Sequence, residues 1–338
     1  MVAPAVPTTA AVSLPVSLDG RDLTDRLRPR LMSLTLTEKR GEEADQLDIV
    51  IDDSRGDMAL PGTGAALQLA LGWRQGTGVA IGLVDKGTFI VDEVEHSGPP
   101  DRIIVRARSA DFTGAIRNRR EQSWHETTLG TVLGEIAGRN GLSLRCAADL
   151  AAIAIGTLAQ ASESDVALIR RLGREHDAAA TIKAGALIFS RIASGKAPSG
   201  ADLPTLQLRR QDGDRHSFRV EKREEVTGVT AYWHDRNAAR RESVTVGEKE
   251  GAKRLARTYP TEAAARRAVE AAQSHAGRQP RSLTLCLALG RADIYPEQRA
   301  QLTGFKAAID ANDWLVEEVM HTVGEGFDSR VRLYALAS

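Results

Sequence analysis

Apolar residues in the first hundred positions recur every second residue, and that period constrains the fold more than any other feature of the chain. Met32, Leu34 and Leu36 alternate, as do Leu47, Ile49 and Ile51, with Asp48 and Asp52 on the opposite face. Leu67, Leu69 and Leu71 follow, then 79–84, 89–94 and 103–107. Successive side chains of a strand point to opposite faces, so this pattern predicts strands with one buried face. Pro61-Gly62, Gly76-Thr77-Gly78 and Ser97-Gly98-Pro99-Pro100 separate them. Short strands spaced by such turn signals predict a β-barrel or sandwich, with a helical turn over 22–28 before Pro29.

The period changes after Arg117. Leu129, Val132, Leu133 and Ile136 fall on one helical face, ended by Gly138 and Gly141. A strand over 142–146 follows. Ser162 and Asp165 form a capping-box pattern ahead of a second helix ending near His176. A hairpin over 179–183 and 186–192 completes a small α/β domain. Residues 194–204 are rich in Gly, Ser and Pro and read as a connector. Strands return at 206–208, 218–220, 226–233 and 244–246. An Ala-rich helix is expected over 261–275, small enough in side chain to pack close to a sheet. Leu283, Leu285, Leu287 and Leu289 alternate, and strands over 314–323 and 327–336 follow.

An ungapped repeat links the two ends. Asp85, Val91, Glu93, Val94 and His96 match Asp310, Val316, Glu318, Val319 and His321, with Phe89 aligned on Trp314. Each copy precedes another strand, which predicts two related barrels. The fold class is therefore β-rich α+β: two related β-barrel domains with an intervening small α/β domain. The expected division is a first barrel over 1–110, the α/β domain over 111–193, a connector over 194–214 available to complete the first barrel, and a second barrel with the Ala-rich helix over 215–338.

Chemistry is sparse. The 45 basic and 45 acidic residues balance, which argues against a sequence-independent nucleic-acid binder. Cys146 and Cys286 have no neighbour at metal or redox spacing and read as reduced, buried thiols. Residues 1–11 lack the basic region of a secretory signal, and no stretch reaches the length of a membrane span. Gly195-Lys196 is followed by Ala197, so no phosphate loop is present. Gly76-Thr77-Gly78 with Gly82 precedes a strand instead of opening a helix. No H-E-x-x-H or G-x-S-x-G occurs. Glu95-His96, His125-Glu126, Glu175-His176-Asp177 and His234-Asp235 are adjacent pairs, whereas a metal site needs ligands converging from several elements. Glu42-Glu43 and Glu317-Glu318 leave a glycosidase pair open, because separation in space is the criterion. Arg117, Arg119 and Arg120 before Trp124 read as a solvated face. No catalytic, cofactor-binding or metal residue is assigned.

Six stretches carry a resemblance: DGRDLTDRLRPRLMSLTLTE (19–38), FIVDEVEHSGPPDRIIVRARSADF (89–112), RREQSWHETTLGTVLGEIAGRNGL (119–142), QASESDVALIRRLGREHDA (160–178), VTGVTAYWHD (226–235) and LVEEVMHT (315–322). The chain resembles the phage late control protein D family, tail hub proteins related to the hub portion of VgrG. Val91-Asp92-Glu93-Val94 with Ser97-Gly98-Pro99-Pro100, and Glu163-Ser164-Asp165, are its most specific pieces. The resemblance implies a non-enzymatic homotrimer at the tail tip, whose two barrels per chain continue a hexameric tail tube as a pseudo-sixfold ring. It also implies contacts with tape-measure and other baseplate proteins, and assembly in a bacterial cytoplasm before incorporation into a tail particle. With Ser338 just after the second barrel, a separate spike protein is expected. The alternatives are a tail-tip cell-wall hydrolase and a late-gene regulator.

Overall fold

The computed structural model describes residues 9–13, 16–18, 21–22, 27–40, 44–109, 114–183, 185–221, 227–235, 238–277 and 281–336. The first region holds β1 (Thr9–Ser13), β2 (Val16–Leu18), β3 (Arg21–Asp22), β4 (Leu31–Lys39), β5 (Gln46–Asp52), β6 (Ala66–Gln75), β7 (Gly82–Ser97) and β8 (Arg102–Ser109). The middle region holds β9 (Arg119–Thr128), α1 (Leu129–Arg139), β10 (Ser143–Cys146), α2 (Ala148–Ala151), β11 (Ala154–Ser164), α3 (Asp165–Glu175), β12 (Ala178–Lys183) and β13 (Ala186–Arg191). The last region holds β14 (Leu206–Arg209), β15 (Gly213–Val220), β16 (Gly228–Asp235), β17 (Arg240–Gly247), β18 (Lys253–Tyr259), α4 (Glu262–Gly277), β19 (Arg281–Leu287), β20 (Arg299–Thr303), α5 (Ala307–Asp310), β21 (Trp314–Val323) and β22 (Phe327–Ala335). Of the helical turn expected over 22–28, residues 23–26 lie outside the described residues; a 3₁₀ turn occupies Arg28–Arg30.

The chain is β-rich, and the repeat is a repeat of topology. In the first region the strands lie in the order β4-β5-β8-β7-β6; in the last they lie in the order β15-β19-β22-β21-β20. Chain order maps one set onto the other strand for strand. The registers agree as well. Phe89 pairs with Leu67 as Trp314 pairs with Ala300. Val94 pairs with Val105 as Val319 pairs with Val331, and His96 pairs with Ile103 as His321 pairs with Ser329. Both copies of the β7 type slip register at one point, between Val91 and Glu93 and between Val316 and Glu318. Both copies of the β4 type slip too, between Leu31 and Ser33 and between Gly213 and Arg215. A bulge inserts one residue at a defined place. Amphipathic strands that resemble each other by chance have no reason to share two such places.

The expected pair of separate barrels is not what these units build. Val319, Met320, His321 and their neighbours on β21 pair antiparallel with β4, so both units belong to one 14-stranded sheet. Its path runs open from β15 to β3, and no closed barrel forms among the described residues. An unpaired strand edge is costly; here the edge of one unit satisfies that of the other. Residues 194–214 also differ from expectation. Their strand β14 pairs parallel with β20 and buries Leu206 and Leu208 in the core of the second unit, so it extends that unit and not the first.

Between β15 and β19 the chain makes a further three-stranded sheet, β17-β16-β18; the strands expected over 226–233 and 244–246 correspond to β16 and β17, and β18 has no expected counterpart. This sheet has its own small core of Val229, Ala231, Tyr259, Ala265, Ala268 and Val269. Here the Ala-rich helix α4 packs close to β16, as its small residues predict. In the middle region β10-β13-β12 form one sheet and β9-β11 a two-stranded ribbon. Leu129, Val132, Leu133 and Ile136 are fully buried, as their spacing predicts. The cap of α3 is Ser164, whose hydroxyl accepts from the Ala167 amide, and not Ser162, which sits at φ 49. That shift releases Asp165 for another task.

Candidate functional site

The inward face of β4 carries Leu34, Leu36 and Glu38, with relative exposures of 0%, 0% and 1%. On β21 the same parity carries Val319, His321 and Val323 inward, and β7 brings Lys86 to the same place. The pairing of β21 with β4 therefore stacks one carboxylate, one ammonium and one imidazole inside the joint between the units. Lys86 Nζ lies 2.5 Å from Glu38 Oε2, 3.3 Å from His321 Nε2 and 3.4 Å from the Ile294 carbonyl oxygen. Lys183, at the end of β12, reaches in from the middle region to 2.7 Å from Glu38 Oε1 and 3.4 Å from Asp45. Glu38 thus ties together all three regions of the chain.

Burial raises the Glu38 carboxyl, but the hydrogen bond from His321 and the charges of Lys86 and Lys183 outweigh it, leaving the group well below the carboxylate range. Burial lowers Lys86, against the pull of Glu38. Burial also lowers Lys183, and there Glu38 and Asp45 outweigh it, so the group is raised. Burial keeps His321 below its ordinary value and hence neutral near pH 7.

Ser329 Oγ lies 2.8 Å from His321 Nδ1, and Glu38 Oε2 lies 3.4 Å from Nε2. Serine, histidine and glutamate in a row have the order of a nucleophilic triad. Ser329 and His321 are 0% exposed, however, and the Ser329 hydroxyl accepts from the Arg291 amide. A cleft of about 810 Å³ between the three regions touches Glu38 and Lys86 but not His321 or Ser329. His321 and Ser329 are thus shut off from solvent and lie off that cleft. Around them, Trp73 Nε1 donates to the Gly290 carbonyl oxygen at 2.7 Å, and Phe327 packs between Trp73 and His321 at 5.3 and 5.8 Å. A Cβ on Gly290 would lie 2.5 Å from the Phe327 ring, so only glycine fits here.

The middle region holds a second buried acid. Asp165 is 0% exposed and accepts from Arg139, Asn140 and Gln160. Burial raises it, and these donors outweigh burial and hold it below the usual range. Glu163 beside it takes Arg171 at 2.8 Å. Glu163-Ser164-Asp165 is thus an ion pair, a helix cap and a buried acceptor in three successive residues.

The histidine–acid neighbours do not converge. His96 lies 3.4 Å from Asp53, His125 is 3.5 Å from Thr157 Oγ1, and His234 is exposed on β16. His176 caps α3 and is lowered to about 4 by burial and by Arg267 and Arg191. Among the described residues no three metal-type ligands come together. Glu317 is paired with Arg332 at 2.9 Å, and Glu42-Glu43 lie outside the described residues. Of the basic run, Arg120 turns toward Asp165 at 3.7 Å. Cys146 and Cys286 are free and half-buried. No helix among the described residues is long and apolar enough to cross a membrane.

Residues 46–327 match the family model described as phage tail baseplate hub (GPD), and the chain belongs to that family. A probable baseplate hub protein of Escherichia phage 186 is 37% identical over 368 residues, covering 96% of this chain and 93% of that relative. The 43 kDa tail protein of prophage MuSo2 from Shewanella oneidensis shares the fold, with a TM-score of 0.68 at 12% identity over 96% of this chain and 98% of that one. A type VI secretion system component from E. coli shares it at a TM-score of 0.52 and 12% identity, covering 98% and 77%. The role that follows from the family is structural, in the baseplate of a phage-type tail.

Proposed function

We propose that three copies of this chain form a ring that joins a sixfold tail tube to a threefold spike in a contractile tail. The supporting observation is the duplicated unit, with its shared strand order and two shared bulges. Three chains of two near-equivalent units present six units, which adapts one symmetry to the other. In this reading the spike is a separate protein. Tape-measure and other baseplate proteins touch the ring, and the chain moves from the bacterial cytoplasm into the tail particle. The work is geometric: no residue is catalytic, and no metal, cofactor or specific nucleic acid is used. The buried cluster of Glu38, Lys86 and His321 serves it by fixing one unit against the other.

Mass measurement of the full chain over a wide concentration range, followed by co-purification with tube and spike proteins, tests the reading. Trimers or trimer-containing complexes are expected. Six copies per ring in an assembled tail would sink it. Peptidoglycan breakdown by the pure protein would favour a tail-tip hydrolase, and a low-salt gel shift would favour a regulator.

A further inference from the structure

Among the described residues, the chain joins two strand edges internally and leaves their counterparts open. On β21, residues 314–316 are held by β20 and its approach, and Glu318–Val323 then pair with β4. On β7, residues up to Val91 are held by β6 and its approach in the same way, with Gly64 and Ala65 in the places of Glu297 and Gln298. Beyond Val91 the far edge of β7 has no strand against it among the described residues. The counterpart of β4 is β15, which among the described residues pairs with β19 on one side only.

Exposure follows the same division. Val319 and His321 are 0% exposed, whereas Val94 is half-buried and the His96 side chain is 43% exposed. Leu34 and Leu36 are 0% exposed, whereas their counterparts His216 and Phe218 are exposed and half-buried. Val220, in the place of buried Glu38, is 60% exposed on the face that points into the core elsewhere in the sheet. An open edge carrying an exposed valine is a template for another strand.

We propose that β15 takes the 94–97 segment of β7 from a second copy of this chain, antiparallel and in the register of the internal joint. Transferring the pairs of β21 with β4 onto their counterparts sets Val94 opposite Val220, Glu95 opposite Arg219, His96 opposite Phe218 and Ser97 opposite Ser217. An apolar pair replaces the buried charges of the internal joint. Glu95, which shares Arg106 with Glu93, gains a second cation in Arg219. One step further, Glu93 falls opposite Glu221, where the internal joint has Glu318 opposite Lys39. The contact is head-to-tail, the type that closes into a ring when the rotation per step divides the circle. It rests on the ring reading above and specifies which edges meet and in what register.

The test is oxidative cross-linking of the full chain carrying Val94→Cys and Val220→Cys, with Cys146 and Cys286 changed to Ser, over concentrations that reach the association range. A Leu60→Cys/Leu289→Cys pair, both exposed but outside the register, is the control. Disulfide-linked species of two and then three chains are expected for the first pair and not for the control. Oligomers by mass without this cross-link, or equal cross-linking of the control, would overturn the register while leaving the ring reading intact. Monomers at every concentration, both alone and with tube and spike proteins present, with no cross-link, would overturn both. Charge reversal gives a second readout. Arg219→Glu should weaken association by about two- to tenfold per interface, Glu95→Arg with Arg219→Glu should restore it, and Glu221→Lys should tighten it. Failure of the double variant to recover, in a chain that still folds and oligomerises, would count against the pairing.

Discussion

Glu38 and Asp165 are both carboxylates shut away from solvent, yet their partners come from different distances. Asp165 takes Gln160 from 5 residues away and Arg139 from 26. Glu38 takes Lys86 from 48 residues away and Lys183 from 145, and His321 stands beyond both. The first arrangement stabilises one small domain and forms when that domain folds. The second forms only when three regions have docked, so it reports on their relative placement. Similar electrostatics thus serve local packing in one place and long-range registration in the other.

The comparison breaks most visibly at Glu38. Glu38→Gln leaves Lys86 buried without its counter-charge and should cost about 3–5 kcal/mol. In urea, the two units should then lose their common transition. Trp314→Ala and its counterpart Phe89→Ala each empty a fully buried aromatic site and should cost about 3–5 kcal/mol. For Trp314→Ala, tail assembly should fail as well. Asp165→Asn should cost less, about 1–3 kcal/mol, because Arg139 is partly exposed and can turn to water. Its loss should be confined to the middle region, which amide hydrogen exchange would show.

Acid sharpens the contrast. His321 and His176 both have folded-state values below 6.5, so the unfolded chain takes up protons first. Stability from each is fully present above about pH 6.5 and is lost as pH falls, for His176 down to about 4. Glu38 is depressed below 4.5, so its contribution is present above that value and is lost as pH falls further. Melting temperature should therefore drop in two stages below pH 6.5. His321→Gln should flatten the first stage at the joint and His176→Gln in the middle region, with little effect of His176→Gln at pH 7. At the small end, His125→Gln and His234→Gln should each change stability by less than about 0.5 kcal/mol. A hydrolytic or metal-dependent activity abolished by either, with folding intact, would contradict a purely structural role.

Alternation made the strands with one deeply buried face legible, β4, β5, β8 and β19 among them, and the helical spacing of Leu129 to Ile136 marked α1. β9 and β11 escaped because a two-stranded ribbon buries little: Trp124 is the lone fully shielded residue of β9, so no apolar period develops. β18 escaped for the same reason, with Tyr259 alone buried. The joint escaped differently. Glu38 continues the parity of Leu34 and Leu36, and His321 that of Val319 and Val323, so each marks a polar residue on a core face. That they meet is a fact of tertiary pairing, which no local period encodes. The repeat was readable, but its joining into one open sheet depends on which edge is satisfied by which.

The joint between β21 and β4 has a mechanical meaning. Hydrogen bonds of an antiparallel pair run across the strands. A force directed along β21 loads the whole Glu318–Val323 register in shear at once, whereas a force that peels the strands apart breaks it pair by pair. The joint therefore resists sliding far better than hinging. With Glu38 and its partners pinning one end and Phe327 against Trp73 at the other, a sudden axial pull on one unit passes to its twin as the motion of a single plate.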